Sequence, residues 1–219
     1  LWRALLQWLG GIGIIVMAIT LMPIMNVGGM QLFKISNNDS SEKILPKSKE
    51  IALRLILVYT TLTIFCATSY KIFGMNFFDS ITHSMTTIAT GGFSNYNESL
   101  GFFNSRFIES SAIIFILLGS IPFISYIKFL NGDREIFFKD IQIKTFLKIV
   151  FFSIVILSIY LNFNGSIKFD FIAVLFNVIS ILTGTGYVNA QFDSWGSFSL
   201  VLFLICLLYT SPSPRDSSK

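Results

Sequence analysis

Two short segments of this chain carry glycine and threonine in an arrangement that suits the coordination of an ion. They are residues 86–93 (TTIATGGF) and residues 181–187 (ILTGTGY). Each follows an apolar stretch shorter than the roughly 20 residues that a helix needs to cross a bilayer. Backbone carbonyls can replace the water around an ion without adding a fixed charge, and glycine lets successive carbonyls turn inward because it has no Cβ. The two segments therefore predict an ion-selectivity filter in a membrane protein.

The residues of these segments have separate expected roles. The predicted filter comprises Ile88, Ala89, Thr90, Gly91, Gly92, Thr183, Gly184, Thr185 and Gly186. The predicted ligands are the carbonyls of Ala89, Thr90, Gly184 and Thr185, and the predicted supporting residues are Thr86, Thr87, Tyr187 and Asn177. Ligands that are all oxygen suit a hard cation, and the lack of a carboxylate favours a monovalent cation over Ca²⁺. One Thr-Gly pair would indicate only a turn, whereas two pairs in the same context favour a filter.

The composition is typical of a membrane protein. Of the 219 residues, 53% are hydrophobic and 13% are charged, whereas a soluble domain has about 25% charged residues. The mean hydropathy is +0.70. No basic stripe alternates with aromatic residues, so nucleic-acid binding is not expected. Cys66 and Cys206 lie inside apolar runs without metal-ligand spacing, and no cofactor is expected in this chain.

The apolar runs follow a repeated order along the chain. Five of them are predicted as membrane spans: residues 5–25, 51–73, 107–130, 145–163 and 198–209. Residues 76–89 and 171–182 are too short to span and carry polar side chains, so both are predicted as re-entrant pore helices buried in protein. The predicted fold is an all-α polytopic membrane protein built from units of span, pore helix, filter loop and span.

These elements divide the chain into repeats. The predicted divisions are 1–27 (last span of repeat one), 28–50 (cytoplasmic loop), 51–130 (repeat two, filter 88–92), 131–144 (cytoplasmic loop), 145–209 (truncated repeat three, filter 183–187) and 210–219 (non-native tail). The two filters are 95 positions apart when Gly91 is paired with Gly186.

Lys and Arg are distributed unevenly between the two sides of the membrane. The loops 28–50 and 131–144, with their flanks, hold ten: Lys34, Lys43, Lys47, Lys49, Arg54, Lys128, Arg134, Lys139, Lys144 and Lys148. The opposite side holds four: Arg3, Lys71, Arg106 and Lys168. Because cytoplasmic loops carry an excess of Lys and Arg, these two loops are predicted in the cytoplasm and both filter loops outside.

The other polar residues near the filter indicate support rather than chemistry. His83 is expected to make a structural hydrogen bond, with a proton relay as the weaker alternative. Asp79, Glu98 and Glu109 are expected to be solvated charges at the outer mouth. Small residues in the first span, such as Gly11, are expected to allow close helix packing.

Four stretches carry a resemblance to a known family: residues 1–17 (LWRALLQWLGGIGIIVM), 27–31 (VGGMQ), 86–94 (TTIATGGFS) and 182–187 (LTGTGY). They resemble the Trk/Ktr/HKT superfamily of potassium transporters, and most closely its bacterial Trk potassium-uptake branch. The resemblance implies a pore of four span–pore helix–span repeats in one chain. In that arrangement Gly91 and Gly186 are the filter glycines of repeats two and three.

The resemblance also implies a function and partners. It implies uptake of potassium, by conduction or symport, across the cytoplasmic (inner) membrane of a bacterium. It implies a homodimer of pore subunits on a cytoplasmic nucleotide-binding regulatory subunit, where the nucleotide is bound. This chain is expected to hold two of the four filter strands.

Two other classes of membrane protein compete with this interpretation. A secondary transporter of sodium or a small solute would place polar residues at broken helices near the midplane, and the predicted spans carry few. A membrane enzyme would need a cluster of His, Cys or carboxylate residues at membrane depth. The chain has one His and no such cluster, so no enzymatic activity is expected.

Overall fold

The computed structural model describes residues 1–25, 44–130, 132, 135, 137, 140–164, 170–190 and 192–210. Most of the predicted loop 28–50, Lys168 and nearly all of the predicted tail 210–219 lie outside these residues. The described residues form eight α-helices and no strand, which confirms the all-α prediction. The helices are α1 (Trp2–Met25), α2 (Ile44–Ile72), α3 (Phe77–Ile88), α4 (Arg106–Ser120), α5 (Phe123–Leu130), α6 (Ile141–Asn164), α7 (Phe171–Leu182) and α8 (Ser197–Thr210).

Two of these helices are long and apolar enough to cross a bilayer by themselves. They are Glu50–Ile72 within α2, with mean hydropathy 1.8, and Ile141–Phe163 within α6, with mean hydropathy 2.1. The bent pair of α4 and α5 qualifies as a third span when the two are taken together. α1 has 24 residues, which is a bilayer length, whereas α8 has only 14.

The predicted span 107–130 consists of two helices, α4 and α5, rather than one continuous helix. It is interrupted at Ile121 and Pro122, and the axes of α4 and α5 differ by 83°. Proline has no N–H and disfavours helical backbone in the residue before it, and Ile121 is extended with ψ 137°. The Tyr126 hydroxyl donates to the carbonyl of Leu118 at 2.7 Å, which satisfies one acceptor near the break.

Two helices begin earlier than the sequence predicted. α2 starts at Ile44, although residues 28–50 were expected to form a loop. Pro46 lies in its first turn, where a missing N–H costs no helical hydrogen bond. α6 starts at Ile141, inside the predicted loop 131–144.

The two short helices, α3 and α7, lie between the longer ones. α3 packs against α1, α2 and α4, and α7 packs against α4, α6 and α8. α4 therefore contacts both short helices. The apolar core around them includes Ile116 from α4 and Phe176 from α7, both fully buried.

α3 buries polar side chains that a lipid-facing helix could not carry. They are Asp79, Ser80, Thr82, His83, Ser84, Thr86 and Thr87. The hydroxyls of Thr82 and Thr87 donate to carbonyls four residues earlier, at 3.0 and 2.6 Å, so the helix satisfies them itself. Asn76 caps the helix, because its side chain accepts from the N–H of Asp79 at 2.8 Å.

Candidate functional site

The first filter segment leaves α3 through a tight turn. The N–H of Gly91 donates to the carbonyl of Thr86 at 2.8 Å, and the N–H of Thr90 donates to the carbonyl of Thr87 at 3.1 Å. This pair of bonds is the Schellman pattern, which needs a left-handed residue just beyond the helix. Thr90 takes that conformation with φ 49°, where glycine is usual. The turn ends the helix at the point where the filter begins.

The second filter segment leaves α7 through a similar turn. Gly184 holds the left-handed position with φ 73°. Its N–H donates to the carbonyl of Ile181 at 3.0 Å, which is the bond that Thr90 makes at the end of α3. Both helices therefore end at a left-handed residue whose N–H donates to the carbonyl three residues earlier.

The correspondence between the two segments can be read from the helix caps. Asn76 and Ala89 cap α3, and Asp170 and Thr183 cap α7. The separation is 94 positions at both ends. The pairing of Gly91 with Gly186, 95 positions apart, therefore differs from the separation of the caps by one residue.

The corrected separation pairs Gly92 with Gly186 and Gly91 with Thr185. Gly92 and Gly186 both have positive φ angles, 65° and 81°. The N–H of each donates to the carbonyl six residues earlier, at 3.4 and 3.1 Å. Gly91 has neither property in common with Gly186. Gly92 is thus the glycine that occupies the position of Gly186 in the other repeat.

One side-chain hydrogen bond also repeats at the same separation. The Thr86 hydroxyl donates to the carbonyl of Phe93 at 3.0 Å, and the Ser180 hydroxyl donates to the carbonyl of Tyr187 at 2.7 Å. Each bond joins the last turn of a short helix to the far end of its filter segment. The side chains thereby hold each segment close to its own helix.

The two filter segments meet at Gly92. A Cβ built on Gly92 would overlap the carbonyl oxygen of Thr185 and lie 2.8 Å from its carbonyl carbon. Glycine is therefore required here twice, by the left-handed backbone and by the approach of the other segment. At Gly186 only the first reason holds, because nothing in the described structure lies within 4 Å of a built Cβ.

Three of the four predicted ligand carbonyls are open. Within the part of the chain that the structure describes, no N–H or O–H donates to the carbonyls of Thr90, Gly184 or Thr185. The fourth, Ala89, accepts from the Thr90 hydroxyl at 2.8 Å. A carbonyl has two lone pairs, so this bond leaves Ala89 one further site. The segments can therefore offer a cation several uncharged oxygens.

Tyr187 joins the second filter segment to the first pore helix. Its hydroxyl donates to the Thr86 hydroxyl and lies 3.2 Å from the carbonyl oxygen of His83. The Thr87 hydroxyl lies 3.4 Å from it and 2.9 Å from the Tyr70 hydroxyl. All five residues are buried. The predicted supporting residues Thr86, Thr87 and Tyr187 thus meet in one cluster.

The similarity of the chain to known proteins agrees with this arrangement. A family model described as "TrkH: Cation transport protein" matches residues 1–164. The chain belongs to the TrkH family of cation transport proteins. Members of this family are transporters rather than enzymes, which agrees with the prediction from the sequence. The chain's long apolar helices agree with a membrane protein of this family.

Individual TrkH-family relatives cover nearly the whole chain. The chain is 38% identical over 205 residues to the Trk system potassium uptake protein TrkI of Halomonas elongata. It is 34% identical over 209 residues to the Trk system potassium uptake protein TrkH of Escherichia coli. These matches cover 93% of the chain and 42% and 43% of the relatives, so the chain spans less than half of their length.

A solved structure of the TrkH family has the same fold. The crystal structure of the potassium transporter TrkH from Vibrio parahaemolyticus superimposes with a TM-score of 0.80 at 32% sequence identity. The match covers 94% of this chain and 42% of that one. The predicted resemblance is therefore confirmed.

Two polar residues occupy equivalent positions in the pore helices of this TrkH-family chain. His83 in α3 and Asn177 in α7 each donate a side-chain N–H to the carbonyl four residues earlier, at 2.9 Å in both cases. Because a carbonyl only accepts, the Nδ1 of His83 carries the proton, and its Nε2 accepts from the Ser94 hydroxyl at 3.0 Å. Asn177 donates in turn to the side chain of Asn189 at 2.8 Å. Both residues tie the loop after the filter to the pore helix.

Two of the three carboxylates expected as solvated rim charges are buried. Asp79 is 2% exposed and accepts from the side chains of Asn76, Asn95 and Tyr96 at 2.7, 2.9 and 2.8 Å. Glu109 is also buried, whereas Glu98 is exposed. Three donors stabilise the Asp79 carboxylate, and the carboxylate fixes the chain as it returns from the filter.

Two contacts of the TrkH-family site were not predicted from the sequence. Gln7 in α1 donates to the carbonyl of Gly91 at 3.0 Å. Arg106, at the start of α4, forms a two-pronged ion pair with Asp170, the cap of α7, in which Nη1 lies 2.8 Å from Oδ1. The only sequence signal for Gln7 is its place as a polar residue in an apolar run. Among the described residues, no three His, Cys, Asp or Glu side chains form a group that could hold a metal ion.

Proposed function

We propose that the chain is part of the pore-forming subunit of a bacterial potassium-uptake system. Segments 86–93 and 180–187 are two of the strands of its selectivity filter, the second now beginning at Ser180, which corresponds to Thr86. The observation that carries the proposal is the contact between these segments, which brings the open carbonyls of Thr90, Gly184 and Thr185 onto neighbouring strands. Such carbonyls can replace the hydration shell of a potassium ion. The names of the relatives, which are potassium uptake proteins, support the same substrate.

The filter glycines in this proposal are Gly92 and Gly186. The sequence resemblance pointed to Gly91 and Gly186, and the geometry favours the change at the first position. Residues 88–92 and 183–186 remain the proposed filter, with Ala89, Thr90, Gly184 and Thr185 as the proposed potassium ligands. Asn177 and the Tyr187 cluster are the proposed supports. No cofactor is proposed for the chain itself.

Serine substitution of the two glycines in the full-length transporter tests the proposal. Gly92→Ser and Gly186→Ser should each lower the ratio of potassium to sodium uptake, because a Cβ strains the left-handed backbone that orients the carbonyls. Gly74→Ser is the matched control. Gly74 also has a positive φ, 106°, with nothing within 4 Å of a built Cβ, and it lies outside both filter segments. An unchanged ratio in both filter variants would contradict the proposal.

We also propose that both filter loops face the outside of the inner membrane, with repeat two over 51–130 and repeat three from 145. The excess of Lys and Arg around the opposite loops supports this orientation. Cysteine substitution at Glu98 and at Gln142, both exposed, tests it. A membrane-impermeant maleimide added to intact cells should label Glu98→Cys and leave Gln142→Cys unlabelled. The reverse labelling would overturn the orientation.

The partners remain part of the proposal. We propose a homodimer of pore subunits with a cytoplasmic nucleotide-binding regulatory subunit, as the family resemblance implies. Affinity purification of the full-length transporter from its own cells, followed by mass measurement of the intact complex, tests both. Recovery of a monomer without a second protein would contradict this part alone.

A further inference from the structure

The side chain of Gln7 contacts the first filter segment from a helix of another repeat. Gln7 lies in α1, and its Nε2 donates to the carbonyl of Gly91 at 3.0 Å. α1 is the helix proposed to close the preceding repeat. Gly91 adjoins Thr90, whose open carbonyl is one of the proposed ligands. The hydrogen bond therefore acts on a peptide unit next to a ligand.

The contact is close enough to depend on the absence of a side chain at position 91. A Cβ built on Gly91 would lie 2.5 Å from Oε1 and 2.6 Å from Cδ of Gln7. Real Cβ atoms do not approach other atoms so closely. The Gln7 amide therefore fills the space beside Gly91, and a side chain at position 91 would displace it.

The backbone that carries Gln7 is fixed against α2 and the filter. The next residue, Trp8, donates from Nε1 to the Thr63 hydroxyl at 3.0 Å, and its carbonyl accepts from the Tyr59 hydroxyl at 3.1 Å. One turn further on, a Cβ built on Gly11 would lie 3.5 Å from the Cβ of Ala89. α1 is thus held against α2 and lies close to Ala89 of the first filter segment, beside the Gln7 contact.

The oxygen of the Gln7 amide, Oε1, makes the contact unfavourable for the stability of the fold. Oε1 is buried and accepts no hydrogen bond from the described residues. A buried acceptor without a partner destabilises a fold by about 1–3 kcal/mol, and a leucine of similar size would avoid that cost. A polar group that opposes stability is expected where function requires it.

The equivalent residue in the other segment is fixed differently. Thr185 corresponds to Gly91, and its own hydroxyl is hydrogen-bonded to the Thr183 hydroxyl at 2.8 Å. At this position, therefore, the second segment carries its support within itself. The first segment has glycine at that position and receives its support from α1.

We propose that Gln7 is a positioning residue for ion selectivity. By holding the carbonyl of Gly91, it fixes the peptide unit between Gly91 and Gly92 and with it the direction of the Thr90 carbonyl. The inference rests on the proposed function, because it requires segment 86–93 to be a filter strand. It assigns part of the selectivity of one strand to a side chain outside every filter segment.

Substitution of Gln7 in the full-length transporter tests the inference. Gln7→Leu removes the donor at similar volume, and Gln7→Glu keeps the shape without an amide N–H. Gln142→Leu is the matched control, because it makes the same change at an exposed glutamine near the start of α6, outside both filter segments. The readout is the potassium-to-sodium permeability ratio, measured with the amount of folded transporter in the membrane.

We expect each Gln7 variant to lower the permeability ratio by about fivefold, which corresponds to one hydrogen bond, and Gln142→Leu to leave it unchanged. A ratio equal to that of Gln142→Leu in both Gln7 variants would overturn the inference. Failure of both variants to fold would also overturn it, since the role of Gln7 would then be structural. If Gly92→Ser and Gly186→Ser alter selectivity and the Gln7 variants do not, only this inference fails. If none of the four alters it, the proposed function fails as well.

Discussion

The first filter segment, 86–93, and the second, 180–187, have the same backbone path and are supported by different residues. A threonine hydroxyl in one and a serine hydroxyl in the other close the same loop. At the left-handed position the first has Thr90 and the second has Gly184. At the far end the first has Phe93, whereas the second has Tyr187, whose hydroxyl reaches the first pore helix.

The difference lies in where the support of each segment originates. The first segment is contacted by Gln7 from α1, by Tyr187 from the other segment and by Gly119, where a Cβ would lie 2.9 Å from the carbonyl of Ile88. In the second segment, Thr183 holds Thr185 from within, and Tyr187 links the segment to α3. Repeats that share a backbone path can therefore divide the supporting contacts unequally. Substitutions at equivalent positions should then have unequal effects.

The largest difference between equivalent substitutions is expected at Gly92 and Gly186. Gly92→Ala brings a Cβ onto the Thr185 carbonyl, so the two segments must separate. Gly186→Ala meets open space and costs only the left-handed strain, about 1–2 kcal/mol. We expect potassium selectivity and thermal stability to be lost in Gly92→Ala and reduced in Gly186→Ala. Equal effects of the two substitutions on the melting temperature would show that the segments are not in contact.

A smaller effect is expected at Tyr187. Tyr187→Phe converts this residue to the type found at Phe93 and leaves the buried hydroxyls of Thr86 and Thr87 with one partner fewer. The loss should destabilise the transporter by about 1–3 kcal/mol and lower selectivity. Tyr160→Phe in α6, away from both filter segments, is the control. If Tyr187→Phe lowers the melting temperature no more than Tyr160→Phe does, the Tyr187 hydroxyl does not link the two segments.

The two equivalent pore-helix residues provide a milder test. His83→Asn copies Asn177, so the hydrogen bond to the carbonyl four residues earlier can persist and only the bond to Ser94 is lost. We expect a loss of stability of about 1 kcal/mol and continued transport. Complete loss of transport in a folded His83→Asn variant would indicate a chemical role for the imidazole. That outcome would favour the proton relay instead.

The smallest effect is expected at the helix caps. Asp170→Asn gives α7 the cap that Asn76 gives α3, and it removes the ion pair with Arg106. Because the pair is partly exposed, the loss should be at most about 1 kcal/mol. The hydrogen bond from Arg106 lowers the pKa of Asp170 below its usual 3.8.

The lowered pKa of Asp170 sets the pH range over which its ion pair with Arg106 stabilises the fold. The ion pair stabilises the fold fully above pH about 4 and loses its contribution as the pH falls through the lowered pKa of Asp170. Thermal melts between pH 3 and pH 7 should therefore show a smaller acid-induced drop in Asp170→Asn than in the parent. Identical pH profiles would mean that the ion pair adds nothing measurable.

Much of the fold follows from the sequence because lipid requires long apolar runs, and polar runs of 12 to 14 residues cannot cross it. The all-α architecture follows from those lengths. The break at Ile121 and Pro122 was visible as a proline in an apolar run, but apolar composition alone does not distinguish a bent span from a straight one. The early start of α2 at Ile44 depends on packing that composition does not report.

Both filter segments were predicted from the sequence, but their alignment with each other required the hydrogen bonds of the structure. Pairing by the two Thr-Gly dipeptides matched Gly91 with Gly186. The backbone instead aligns the helix ends, and the aromatic residues Phe93 and Tyr187 were the sequence signal for that alignment. The burial of Asp79 could not be predicted, because its partners Asn95 and Tyr96 come from a loop whose return path depends on the fold.

The positions of bound ions test most directly whether segments 86–93 and 180–187 form a selectivity filter. A crystal of the full-length transporter soaked in rubidium and recorded at the rubidium absorption edge would locate the ions by anomalous scattering. Anomalous peaks are expected in direct contact with the carbonyl oxygens of Thr90, Gly184 and Thr185. Peaks confined to other parts of the transporter, with none between segments 86–93 and 180–187, would contradict the proposed filter.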